Sequence, residues 1–205
     1  MSRGDSGSWA ERADRGDRAD AASLSPASPP QPWSHALAGI RLVALDVDGV
    51  LTDGSVTYAG AVEVQRTNVQ DGAAIVWLKR AGIEVAWITG RGSPATEARA
   101  KELGVLHLIQ RSGPKDVALG FLQRTLRIAP DETLAMGDDL ADLAMFEHAI
   151  VRVAPRNARP EVQARADLVT EASGGDGAVR EMAEHVLRAR GIWDGLVAAA
   201  GALER

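Results

Sequence analysis

Ile40, Leu42, Val43, Ala44 and Leu45 form a near-continuous apolar run that ends at Asp46. That is the pattern of a strand buried on both faces. Similar runs recur at 83–88, 105–109, 133–136, 150–154 and 168–169. Between them lie segments with helical spacing and helix punctuation. Asp71-Gly72 opens one over 71–80 that Gly82 stops, and Pro94 opens another over 94–103 that Gly104 follows. Further helices are predicted at 115–126, 140–148, 158–166 and 177–190. Strands alternating with helices predict an α/β fold, a doubly wound parallel sheet with helices on both faces. One segment breaks the theme. Over 55–66, two β-prone runs flank Ala59-Gly60-Ala61 and predict a small β-hairpin insertion. Nothing longer is inserted there, so no large cap domain is predicted.

The two ends differ in composition. Residues 1–34 are rich in Asp, Arg, Ser, Ala, Gly and Pro, with Trp9 and Trp33 the only aromatics. Such a segment predicts a disordered N-terminal leader, because it cannot bury enough apolar surface to order itself. The predicted domain spans 35–190, and 191–205 is a C-terminal tail.

Charge and cysteine content narrow the classes. The net charge of −5, with no Lys/Arg run, argues against a nucleic-acid partner. There is no cysteine, hence no disulfide framework and no thiolate chemistry. No apolar run reaches membrane-spanning length and no signal-peptide core is present, so no membrane partner is predicted and the cytoplasm is the default location.

The candidate chemistry gathers at predicted strand ends. Asp46-Val47-Asp48 follows the first strand and Thr89-Gly90-Arg91 the second. Lys115 opens a helix after Ser112-Gly113-Pro114, and Gly137-Asp138-Asp139-Leu140-Ala141-Asp142 follows the strand at 133–136. A parallel sheet brings these groups to one edge, where ligands bind in open α/β sheets. Two carboxylates one residue apart stay ionised together only with a cation or a shared proton, and Mg²⁺ is the simplest such cation. A calcium EF-hand loop is excluded, because Val50 and Leu51 occupy positions that need an oxygen ligand and a glycine, respectively. Carboxylates, a hydroxyl, an ammonium and a guanidinium suit phosphoryl transfer, whose transition state is polyanionic. Read singly, each signal has a plainer account. Thr89 or Asp139 would cap a helix, while Lys115, Arg91 and Arg99 would be solvated charges. His35, His107, His148 and His185 lack metal-ligand spacing.

Taken in order, the strings DVDGVLTDG, VAWITGR, GPK and MGDDLAD resemble the haloacid dehalogenase superfamily of phosphohydrolases. With NVQDG and GGDGAVRE, the chain is similar to the 3-deoxy-D-manno-octulosonate 8-phosphate phosphatase group. The resemblance runs from about 40 to 190. It implies that Asp46 is the nucleophile and a metal ligand. Asp48 is the general acid/base, and Val47 or Asp48 lends the metal a backbone carbonyl. Thr89 holds the transferring phosphoryl group and Lys115 offsets negative charge. Asp138 binds Mg²⁺, with Asp139 and Asp142 orienting that shell. The substrate-binding set is Asp48, Asn68, Val69, Gln70, Asp71, Gly72, Arg91, Arg99 and Lys115. Three features depart from the group. Thr67 stands where an aromatic is usual, Val76 where a basic residue is common, and the chain after Gly191 is not the group's Gly-rich tail. They bear on recognition of the sugar acid and leave the catalytic set intact.

The implied activity is Mg²⁺-dependent release of phosphate from a phosphorylated sugar acid through an aspartyl-phosphate. The alternatives are a phosphatase for another small ester, such as a nonulosonate 9-phosphate, and a non-catalytic regulatory or assembly domain. The alternation of Val56, Tyr58, Val62 and Val64 predicts an apolar hairpin face that water would otherwise meet. A second copy of the chain would cover it, and the resemblance implies a homotetramer whose hairpins meet.

Overall fold

The computed structural model describes residues 32–202. The leader expected over 1–34 lies outside the described residues up to 31. At 32–34 the chain is already in a 3₁₀ turn, Pro32–Gly39, whose Trp33 packs on the core and meets the His185 ring edge-on.

Numbered in chain order, the strands are β1 Leu42–Leu45, β2 Thr57–Ala59, β3 Val62–Val64, β4 Glu84–Thr89, β5 His107–Gln110, β6 Thr133–Met136, β7 Val151–Ala154 and β8 Leu168–Val169. The helices are α1 Val69–Arg80, α2 Pro94–Leu103, α3 Lys115–Leu126, α4 Leu143–Phe146, α5 Pro160–Gln163, α6 Ala178–Ala189 and α7 Trp193–Ala202. A six-stranded sheet has the order β5-β4-β1-β6-β7-β8, and all its pairings are parallel. The chain winds outward from β1 through β4 to β5. It then crosses back and winds the other way through β6, β7 and β8. The reversal lies between β1 and β6, the place where such sheets bind ligands.

Strand periodicity builds the two sides of the core. Val43 and Leu45 join Trp87 and Met136 in one cluster with α1 and α6. Leu42 and Ala44 join Ile88, Ala135, Leu119 of α3 and Phe146 of α4 in the other. Successive side chains of a strand point to opposite faces, so both layers follow from one short apolar run. Helix α6 shows the complementary pattern. It buries Ala178, Val179, Met182, Ala183, Val186 and Leu187, a stripe at helical spacing.

Local signals set several boundaries. The Ser93 hydroxyl accepts from the Ala95 N–H at 3.3 Å, Pro94 starts α2, and Gly104 ends it at φ 64°. Two expected helices are shorter than their periodicity suggests. Over 140–148 the chain forms a 3₁₀ turn, Leu140–Asp142, and then only α4, because the Asp142 carboxylate turns back onto the amides before it. Over 158–166 only α5 forms, starting at Pro160. The expected tail over 191–205 is helical in its described part. Trp193 is 9% exposed, edge-on to Trp77 and beneath the Arg180 and Arg188 guanidiniums.

The hairpin register changes one expectation. Tyr58 pairs with Glu63, while Ala59 pairs with Val62 and Thr57 with Val64. Paired residues share a face, so Val62 and Val64 stand together and Tyr58 stands on the other side.

Helix α6 begins at Gly177 without a side-chain cap of its own. Asp71 of α1, 1% exposed, supplies one across the fold, accepting from the Arg180 N–H at 2.7 Å and the Gly177 N–H at 3.3 Å. Burial raises the Asp71 carboxyl above its ordinary value against the pull of these amides. Asp71→Ala strands both buried donors and should cost about 1–3 kcal/mol in urea unfolding, with the denaturant slope unchanged.

Candidate active site

Parallel pairing puts the expected groups on one edge. The Asp46 N–H continues the sheet by donating to the Met136 carbonyl at 3.0 Å, which holds the ends of β1 and β6 side by side. Asp46, Asp138 and Asp142 each offer a carboxylate oxygen, all within 4.8 Å of one another. The Lys115 ammonium, at the start of α3, lies 2.5 Å from Asp46 Oδ1 and 2.5 Å from Asp142 Oδ1. The second Asp142 oxygen accepts from the Asp138 and Asp139 N–H groups at 2.9 and 3.1 Å. Asp142 thus holds the loop and the lysine at once. On the β4 side, the Thr89 hydroxyl donates to Asp48 Oδ2 at 3.2 Å and accepts from the Arg91 N–H at 3.0 Å.

The electrostatics of this cluster are unbalanced. Burial and the Asp142 carboxylate push Asp46 up to about 8, although Lys115 pulls the other way. Burial, Asp142 and Asp139 push Asp138 up to about 6. Burial disfavours the charged Lys115, yet the Asp46 and Asp142 carboxylates hold it above its ordinary value. Three acids face one ammonium out of water, so one more cation is needed for all of them to ionise. Asp138 Oδ1 is buried with no hydrogen-bond partner. Oxygen-only donors at close quarters with an unmet lone pair fit Mg²⁺.

Glycines permit this crowding. A Cβ at Gly49, where φ is 98°, would meet Asp138 Oδ2 at 2.1 Å. A Cβ at Gly137 would meet the Asp142 Cβ at 2.2 Å.

Other expected residues lie elsewhere. Asp139 is exposed and caps the turn at Leu140, accepting from its N–H at 2.8 Å. Asn68 caps α1, accepting from the Gln70 and Asp71 N–H groups at 2.7 and 3.4 Å. Asp71 is turned to α6, as described above. Gly72 lies under Arg99, where a Cβ would meet Nη2 at 2.4 Å. Residues 68–72 are the cap and first turn of α1 rather than a loop, and of them Val69 and Gln70 are exposed, Val69 at 80%. Arg91 is paired with Glu63 of the hairpin at 2.8 Å, and Arg99 with Glu102 at 2.8 Å.

Two supporting residues escaped the sequence reading. Asn157 donates from Nδ2 to the Gly49 carbonyl at 3.0 Å and accepts from the Gly174 N–H at 2.6 Å. It follows the end of β7, so the strand-end rule that found the other groups points to it too. Buried Thr52 accepts from the Gly49 and Gly54 N–H groups at 3.3 and 3.2 Å and closes the acidic loop. Nothing in its spacing marks it.

The switch-point acids, the lysine and the threonine define a phosphohydrolase-type site on a doubly wound sheet. Residues 100–182 match the haloacid dehalogenase-like hydrolase family. The 3-deoxy-D-manno-octulosonate 8-phosphate phosphatase of Salmonella typhi is 43% identical over 157 residues, covering 76% of this chain and 83% of that protein. The crystal structure of the Moraxella catarrhalis phosphatase of that name, in complex with magnesium, phosphate and KDO, matches with a TM-score of 0.79 at 38% identity. The match covers 82% of this chain and 97% of that one. A cobalt-bound Haemophilus influenzae phosphatase matches with a TM-score of 0.78 at 34% identity, over 82% of this chain and 99% of its own. The chain belongs to the 3-deoxy-D-manno-octulosonate 8-phosphate phosphatase family of haloacid dehalogenase-like hydrolases.

Gly49→Ala tests the close approach of the acidic loop to Asp138. The added methyl meets a carboxylate in a backbone conformation that disfavours any Cβ, so the variant should lose about 1–3 kcal/mol of stability. Thermal melting should also show a smaller stabilisation by Mg²⁺ than in the parent.

Proposed function

We propose that the protein is a Mg²⁺-dependent phosphatase that releases phosphate from a phosphorylated sugar acid of the 3-deoxy-D-manno-octulosonate 8-phosphate type, with Asp46 as its nucleophile. The observation that carries this is the buried contact of Asp46 with Lys115 at the β1–β6 switch point, beside the Thr89–Asp48 pair.

Asp46 and Asp138 would hold the cation, and Asp142 would orient its surroundings. Bound there, Mg²⁺ supplies the positive charge that lets an anionic carboxylate approach an anionic phosphate. The remaining work falls to the chain. An Asp46 oxygen attacks phosphorus, and the bond from phosphorus to the ester oxygen breaks. Asp48 gives its proton to the departing alkoxide. It later takes one from the water that hydrolyses the aspartyl-phosphate, which returns Asp46 and frees phosphate. The Thr89 hydroxyl and the Lys115 ammonium face the charge that develops on the phosphoryl oxygens. Arg91, Arg99 and the exposed Val69-Gln70 lip form the rim that receives the sugar. No helix among the described residues is long and apolar enough to cross a membrane, in keeping with work in the cytoplasm.

The active form is an oligomer, by our reading a tetramer. Val62 and Val64 are 65% and 48% exposed on one face of a two-stranded hairpin, which is marginal without something to pack on.

Purified protein should release phosphate from 3-deoxy-D-manno-octulosonate 8-phosphate with Mg²⁺ and lose that activity in EDTA. Asp46→Asn should lower turnover by about 10³-fold or more with an unchanged circular dichroism spectrum. A parent protein that releases no phosphate from any sugar phosphate with Mg²⁺ would leave the non-catalytic domain as the better reading.

Light scattering should report a multimer. Val62→Lys with Val64→Lys should convert it to smaller species and lower activity in parallel. A fully active parent monomer would refute the interface.

A further inference from the structure

Arg111, at the carboxyl end of β5, has φ 51°. Among the described residues the other non-glycine with positive φ is Arg127, at 56°. Arg127 ends a helix, where the left-handed conformation is routine. Arg111 follows a strand, where a residue with a Cβ is disfavoured and glycine is not. The arginine therefore carries a backbone cost that a glycine there would not.

That side chain has a defined place. The guanidinium lies against Gly92, where a Cβ would meet Cζ at 2.8 Å and Nε and Nη2 at 3.0 Å. The backbone of Arg111 and Ser112 is hydrogen-bonded to the Thr89–Arg91 loop after β4. The Arg111 N–H donates to the Arg91 carbonyl at 3.1 Å, and the Ser112 N–H donates to the Thr89 carbonyl at 3.1 Å. The loop that Arg111 opens closes on Lys115, the first residue of α3. A recess of about 120 Å³ lies between Arg111, Gly92, Ser93 and Glu97. Arg91 and Arg99 are held by Glu63 and Glu102, while Arg111 enters no ion pair among the described residues.

We propose that Arg111 is a specificity residue that receives the carboxylate of the substrate while its phosphate sits at Asp46, Thr89 and Lys115. A guanidinium suits this task, since its fork of donors matches a carboxylate and it is charged at every working pH. The proposal rests on the reading of the substrate as a phosphorylated sugar acid.

The test measures kcat/KM of the parent, Arg111→Gly and Arg111→Lys on 3-deoxy-D-manno-octulosonate 8-phosphate and on mannose 6-phosphate, which has no carboxylate. The acid-to-neutral ratio should fall roughly tenfold to a hundredfold in Arg111→Gly, the usual loss of a charged hydrogen-bond partner. The fall should come through KM for the acid. Arg111→Lys keeps the charge without the fork and should lie between. The glycine relieves the backbone, so its melting temperature should be no lower than the parent's. A parent ratio retained in Arg111→Gly would overturn the assignment of Arg111 alone. A parent with no preference for the acid would overturn the substrate reading together with it. A ratio that falls only with the melting temperature would make Arg111 a structural residue and overturn its specificity role.

Discussion

The structure turns on one buried ammonium between two buried carboxylates. Lys115, Asp46 and Asp142 are each under a tenth exposed, and Asp138 adds its charge beside them. Acids drawn this close out of water repel and lose hydration, which costs stability unless cations answer them. Lys115 answers part of the charge and leaves the rest for a metal. This is an expensive way to hold a fold together and a suitable way to hold a polyanionic transition state. Its demands reach outward. Gly49 and Gly137 are small because the acids leave them no room, and the helix expected after Asp139 tightens to a 3₁₀ turn because Asp142 faces back.

Around that centre, distant loops are locked by polar contacts rather than by apolar bulk. Asn157, after β7, joins the Gly49 carbonyl to the Gly174 N–H. Gly174 lies so close to Gly49 that a Cβ would meet its carbonyl oxygen at 1.8 Å. Asp71, in the first turn of α1, caps α6. Strings far apart in the chain, NVQDG and GGDGAVRE, are thus two halves of one contact. The buried Asp71 carboxylate and the Asn157 side-chain amide each have their partners met, which ties the loop edges to one another.

Much was legible in advance. The buried strands declare themselves by apolar runs, because a parallel sheet covered on both faces has no polar alternation. Helix α2 is framed by Ser93-Pro94 and Gly104, signals that act within a turn of the chain. The strand-end acids, Thr89 and Lys115 were found because parallel topology sends every carboxyl end to one edge. Periodicity failed where a side chain had a distant claim on it. Asp142 shortened one helix, and Trp193, held by Trp77 and Arg180, made a helix of an expected tail.

The sequence by itself determined the doubly wound sheet, the switch-point acids and the hairpin turn, since these follow from local conformational preference and the spacing of apolar residues. Only the tertiary structure decided the partners. It turned Asn68 and Asp71 to backbone amides, tied Arg91 and Arg99 to Glu63 and Glu102, put Val62 and Tyr58 on opposite faces, and left the Arg111 side chain without an ion pair among the described residues. A chain states which groups it carries, but a charge takes its role from the groups that folding brings within a few ångströms, and that distance has no signature along the sequence.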